Sequence, residues 1–176
     1  TQVHTVSFIA AGPGEIDLMT VRAHKLLASA DVVLADPEVV LLAEHVSSGE
    51  IAVALDTNGV SLSLAARTKF ITDARKLGKY VVRLLSGDPV MDGRLALEVS
   101  ALDKTGTQLQ VVPGVTALTA AAAHVGVSLT GGRTREVRVV DADSPTVEWQ
   151  AYIDPLVTVV VQNAADRVAD IAKALV

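Results

Sequence analysis

Ile9-Ala10-Ala11-Gly12-Pro13-Gly14 is an apolar run that gives way to glycine and proline, and Leu85-Ser86-Gly87-Asp88-Pro89 repeats the transition further along the chain. Each marks the point where an apolar strand runs out, which is where a doubly wound sheet binds its ligand. A loop with few side chains lets backbone amides and carbonyls approach a small molecule closely. Two such loops in one domain predict the two walls of one cofactor cleft. A third, Pro113-Gly114-Val115-Thr116, follows the expected fifth strand. Each alone reads equally well as a tight turn, with Asp88 capping nearby amides. Their coincidence at the ends of strands one, four and five exceeds what turn chemistry requires.

Outward from these loops, strand and helix patterns alternate. Strands are expected at Val3–Ala11, Val32–Ala35, Ile51–Leu55, Tyr80–Leu85 and Leu109–Val112. Between them fall a helix from Asp17 or Thr20 to Ala30, one through Leu41 and Leu42, a long one capped by Ser61 and ended by Gly78, and Leu95–Leu102. Val115–His124 follows the last strand as a further helix. The pattern predicts an α/β fold: a five-stranded, mainly parallel sheet with right-handed crossovers and helices on both faces. Gly126 to Gly132 reads as a boundary, separating an N-terminal α/β domain at 1–125 from a partial second α/β domain at 126–176. The latter offers strands at Val137–Val140 and Leu156–Val161 and a helix at Ala165–Leu175, too little for a complete domain.

Composition narrows the function. Half of the 176 residues are apolar, ample for a core, while aromatics are 3 % and the net charge is −5 with no basic run. Nucleic acid is therefore not an expected partner. The absence of cysteine removes disulfides, thiolate nucleophiles and Cys-ligated zinc. His4, His24, His45 and His124 have no metal-ligand spacing, so no metal is expected. No apolar run reaches membrane-spanning length, and Thr1-Gln2-Val3-His4 lacks a signal-peptide pattern; a cytoplasmic protein without a membrane partner is expected. The dinucleotide fingerprint G-x-G-x-x-G fails, because Asp17 holds the third glycine position and Pro13 has no amide to offer a phosphate.

Three blocks carry a resemblance. Ala10–Thr20 is similar to the opening loop G-A-G-P-G-D-x-x-L-L-T of tetrapyrrole methylases. Val81–Arg94 resembles their central V-V-R-L-K-G-G-D-P-F-x-F-G-R, and Val111–Ala117 their V-V-P-G-x-T-A/S, in the same order and spacing. Asp31-Val32-Val33-Leu34-Ala35-Asp36 looks like the D-V-V-x-Y-D of the uroporphyrinogen-III C-methyltransferases within that family. The resemblance implies S-adenosyl-L-methionine-dependent C-methylation of a tetrapyrrole in sirohaem or cobalamin synthesis, by a homodimer. It implies a cofactor site lined by Pro13, Ser86, Gly87, Asp88, Met91, Thr116 and Ala117, largely through backbone. Asp36 is implied as general base, taking the proton released after a reduced pyrrole carbon attacks the sulfonium methyl; it also reads as a residue that merely ends a strand before Pro37. Arg94 is implied to fork a substrate carboxylate, and reads equally as an ion-pairing arginine at a helix start.

Several positions depart from the family pattern. The lysine of V-G-K-R is missing from Val53-Ala54-Leu55-Asp56, and Ser86 replaces the first glycine of G-G-D. Val90 and Met91 stand for a bulky aromatic pair, Ser128–Gly132 for P-L-T-H-R, and Asn163 lies near a cofactor-packing methionine. They favour a second reading, a degenerate domain serving as a structural or interaction module of a longer haem-pathway protein such as a fused uroporphyrinogen-III synthase. A third is a precorrin methylase acting later in cobalamin synthesis, against which Asp36 speaks.

Overall fold

The computed structural model describes residues 6–91 and 93–175. The chain divides into two compact units, 1–117 and 118–176. The first contains β1 (Val6–Ala10), α1 (Val21–Ala28), β2 (Val32–Ala35), α2 (Val40–Val46), β3 (Glu50–Val53), α3 (Leu64–Lys76), β4 (Val81–Leu85), α4 (Arg94–Asp103) and β5 (Leu109–Val112). Its strands form one sheet in the order β3-β2-β4-β1-β5, every pair parallel.

Side chains alternate across this sheet with period two, and helices cover both faces, so the strands read as unbroken apolar runs. On one face Ile9, Val33, Ala35, Val82 and Leu84 pack with Ala23 and Leu27 of α1 and Leu42 and Ala43 of α2. On the other, Val6, Phe8, Leu34, Val81 and Leu85 meet Ile71 of α3 and Leu102 of α4. The expected α/β architecture is thus observed.

Local differences have physical causes. Val3, His4 and Thr5 of the expected first strand lie outside the described residues. Thr20, not Asp17, caps α1, its hydroxyl accepting from the Ala23 amide at 3.2 Å; Asp17 sits in a single 3₁₀ turn, Ile16–Leu18. The long helix α3 is capped by Ser63 rather than Ser61, its hydroxyl accepting from the Ala66 amide at 3.1 Å. The cause is Asp56, whose carboxylate accepts from the Asn58 and Val60 amides at 2.8 and 2.9 Å. That turn returns the chain so that Ser61 bridges Leu55, and the helix starts later.

The second unit takes most of α5 (Ala117–His124), then β6 (Glu136–Asp141), β7 (Val157–Gln162) and α6 (Val168–Ala174). The division between the two compact units falls at the start of α5. β6 and β7 form a two-stranded parallel sheet in register from Glu136↔Val157 to Asp141↔Gln162. The first turn of the expected closing helix is a separate 3₁₀ turn, Ala165–Arg167. No described helix is long and apolar enough to cross a membrane, and no described group of His, Cys, Asp and Glu is arranged to hold a metal.

Candidate active site

The strand order puts the crossing point of the chain between β1 and β4, where successive connections leave the sheet in opposite directions. The glycine loops after these two strands are joined there. Gly12 N donates to Gly87 O at 3.1 Å, Gly87 N donates to Gly12 O at 2.9 Å, and Ala11 N donates to Leu85 O at 2.8 Å. Both glycines take positive φ, 76° and 63°, the left-handed region that side chains disfavour. Gly114, after β5, closes in on the same strand end: a Cβ there would lie 2.8 Å from the Ala10 Cβ and 3.2 Å from Gly12 N. So the first unit brings all three loops to the carboxyl ends of β1, β4 and β5.

Around this junction Pro13 is exposed, Ser86, Gly87, Asp88 and Thr116 are half-buried, and Met91 is exposed on the loop. The Asp88 carboxylate caps the Val90 amide at 3.1 Å, and its carbonyl accepts from Met91 N at 3.0 Å. Ala117 is exposed at the unit boundary. Beside Gly14 and Gly87 a Cβ would meet nothing within 4 Å. The loops thus present backbone, and among the described residues no side chain beyond its chain neighbours lies within 4 Å of where a Gly87 Cβ would stand.

Asp36 ends β2 with its side chain 5 % exposed, and three donors hold it. Arg83 Nη2 reaches Oδ1 at 2.5 Å, while Arg94 Nη1 and the Ser86 amide reach Oδ2 at 2.9 and 3.2 Å. Arg94 also spans to the Ser86 carbonyl at 3.4 Å. Its guanidinium is thus engaged with Asp36 and the β4 loop, though 42 % of the side chain remains exposed. Arg83 is buried on β4 with every N–H direction used. Nε and Nη2 fork Glu98 at 2.9 and 3.2 Å, and Nη1 donates to the Leu84 and Leu34 carbonyls at 2.9 and 3.3 Å. Burial works against its charge, but Glu98 and Asp36 more than offset this and hold its pKa above the ordinary arginine value.

The sequence motifs point to Asp36 and Arg94 but not to Glu98, the buried acid that faces Arg83. The signal was present. Leu95, Glu98, Val99 and Leu102 recur at helical spacing, so Glu98 stands in the apolar stripe of α4. An acid there requires a buried cation. Leu55 and Asp56, in place of the expected lysine, belong to the turn after β3.

A doubly wound domain with its glycine loops gathered at the topological switch point is a small-molecule-binding architecture. Comparison with known proteins makes this specific: the chain belongs to the tetrapyrrole (corrin/porphyrin) methylase family, whose sequence profile matches residues 5–176. It is 35 % identical to a siroheme synthase of Chromobacterium violaceum over 97 % of this chain and 38 % of that protein. It is 44 % identical to a precorrin-4 C(11)-methyltransferase of Rhodococcus erythropolis over 72 % of this chain and 50 % of that one. The chain therefore spans half or less of the length of these relatives. Among solved structures, a cobalt precorrin-4 methyltransferase aligns with a TM-score of 0.86 at 30 % identity, over 98 % of this chain and 74 % of that one. A Thermus thermophilus uroporphyrin-III C-methyltransferase complexed with S-adenosyl homocysteine aligns at 0.76 and 32 %, over 97 % and 71 %.

Proposed function

We propose that this chain binds S-adenosyl-L-methionine at the carboxyl ends of β1, β4 and β5 and methylates a ring carbon of a tetrapyrrole. The reciprocal Gly12–Gly87 hydrogen bonds carry the reading. They join two side-chain-poor loops into one cradle at the switch point, in a chain whose family consists of tetrapyrrole methylases. Bound there, the cofactor supplies an electrophilic sulfonium methyl. Pro13, Gly87, Asp88 and Thr116 line the site mainly through backbone, with Ser86, Met91 and Ala117 at its margins. Holding donor and acceptor in line is the main catalytic contribution of such a site.

Asp36 is the proposed proton acceptor. A carboxylate has about four acceptor positions, and its three donors leave one for the proton leaving the methylated ring or for a water carrying it. Arg94, the partly exposed member, is the proposed contact for a substrate carboxylate. Uroporphyrinogen III is the first substrate to try. The 44 % identity to a precorrin-4 methyltransferase favours a later precorrin as the second. The protein is proposed to act as a homodimer, so light scattering should give twice 18.3 kDa; the monomer mass would remove that part.

Calorimetric titration with S-adenosylhomocysteine tests the reading. Saturable one-to-one binding is expected. No heat at millimolar ligand would leave a degenerate domain retained as a structural or interaction module. If the ligand binds, methyl transfer to uroporphyrinogen III and to a precorrin-4-type corrinoid, assayed side by side, assigns the substrate.

A further inference from the structure

Five side chains from two helices, one strand and the end of another form an alternating row: Arg67, Glu98, Arg83, Asp36 and Arg94. Arg67 of α3 lies with Nε 2.9 Å from Glu98 Oε1, an ion pair whose N–H is not aimed at the carboxylate. Glu98 of α4 forks Arg83 of β4, and Arg83 meets Asp36 at the end of β2. Asp36 meets Arg94, the first residue of α4. Glu98, Arg83 and Asp36 are each at most 5 % exposed along their side chains. A row of this kind is expensive to desolvate, and apolar side chains of similar volume stabilise a core as well or better. Its use must lie in the arrangement it imposes.

What it imposes can be traced atom by atom. The fork from Glu98 fixes the plane of the Arg83 guanidinium. In that plane Nη1 is turned to the carbonyls of Leu34 and Leu84, at the ends of β2 and β4, and Nη2 to Asp36. Asp36 in turn receives the Ser86 amide, the first residue of the β4 glycine loop. We infer that Glu98 and Arg83 are positioning residues, which set the Asp36 carboxylate and, through it, the Ser86–Gly87 segment of the loop. This deepens the proposed methylase reading, because it makes one buried row responsible for both the proton acceptor and a wall of the cofactor cradle. The row has one positive charge in excess, three arginines against two carboxylates.

Hydrogen exchange at the Ser86 amide reads the row directly, since the Asp36 carboxylate is the acceptor of that amide. In the unliganded chain, Glu98→Gln should lower protection at Ser86 at least tenfold relative to the Ile9 amide of β1. Glu98→Asp should restore most of it. Leu102→Ala, in the same helix but outside the row, should lower both amides together, as loss of global stability does. Should Glu98→Gln fail to fold, Arg67→Gln removes the row's outermost charge from a side chain that is 21 % exposed. A selective loss of about threefold at Ser86 is then expected, in the range that one weakened charge-assisted hydrogen bond supplies. Unchanged relative protection at Ser86 in a folded row variant overturns the inference. The experiment uses no cofactor, so it stands apart from the S-adenosylhomocysteine titration. Binding with an insensitive Ser86 refutes the row alone, and a sensitive Ser86 without binding refutes the methylase reading alone.

Discussion

The two units of the chain bury their side chains differently. In residues 1–117 the strands β1, β2 and β4 are buried throughout, with Phe8, Val33, Leu84 and Ile71 at 0 % exposure. In residues 118–176 every residue of β7 is only half-buried, and the buried apolar residues described are Val140, Ala142 and Ile171. A two-stranded sheet is marginal by itself, whereas five strands covered on both faces make a self-sufficient core. The comparison teaches where rigidity is available. A cradle built from strand ends inherits the order of its strands, and the Gly12–Gly87 junction sits on two of the three fully buried strands of the first unit.

The strongest way to break this comparison is to remove one charge from the buried row. Arg83→Leu leaves Asp36 and Glu98 buried without their shared cation, and should cost about 3–5 kcal/mol in urea denaturation. Its counterpart in the second unit, Arg138→Gln, removes an exposed pair with Glu136 and should leave the urea midpoint unchanged. Equal losses would erase the distinction.

Apolar truncation sharpens it. Phe8→Ala should cost about 3–5 kcal/mol, because the vacated volume is walled by Leu34, Ile71 and Leu85. Val159→Ala on the half-buried β7 should cost about 1 kcal/mol or less, from the smaller area returned to water. A larger loss at Val159 would show that the second unit holds a tighter core than its burial indicates.

The smallest effect is a pH dependence confined to the first unit. Burial pushes the Tyr80 phenol above its ordinary value, against hydrogen bonds from Ser7 and Gln110 that favour the ionised form. The unfolded chain therefore loses this proton first as pH rises through about 10. Tyr80's contribution is complete below that pH and is lost above it. Urea midpoints measured from pH 8 to 11 should fall in the upper part of the range, and Tyr80→Phe should flatten that fall. An identical slope in the variant would assign the alkaline loss to other groups.

Much of this was legible from local patterns. Val32–Ala35 and Leu109–Val112 were read with their observed limits, because apolar runs bounded by Asp36-Pro37 and Pro113-Gly114 admit little else. The helix starts were less legible. Ser61 and Ser63 are equal as caps in sequence, and only the Asp56-centred turn decides between them. The site was legible as loops but not as a network. Arg94 reads from sequence as a fork for a substrate carboxylate or as an ion-pairing arginine at a helix start, but its partner, Asp36, lies fifty-eight positions away in the chain. Glu98 was visible as an acid in an apolar stripe, but its partner lies on a strand that helical periodicity does not reach.

The central claim is the location of the cofactor cradle, and amide chemical-shift mapping tests it most directly. The ¹⁵N-labelled chain is titrated with S-adenosylhomocysteine and every resolved amide is followed. The account predicts saturable shifts concentrated at Gly12, Gly14, Ser86, Gly87 and Thr116, with the amides of α3 and of the outer strand β3 unmoved. Saturable shifts centred elsewhere, with Gly12 and Gly87 unchanged, would contradict it.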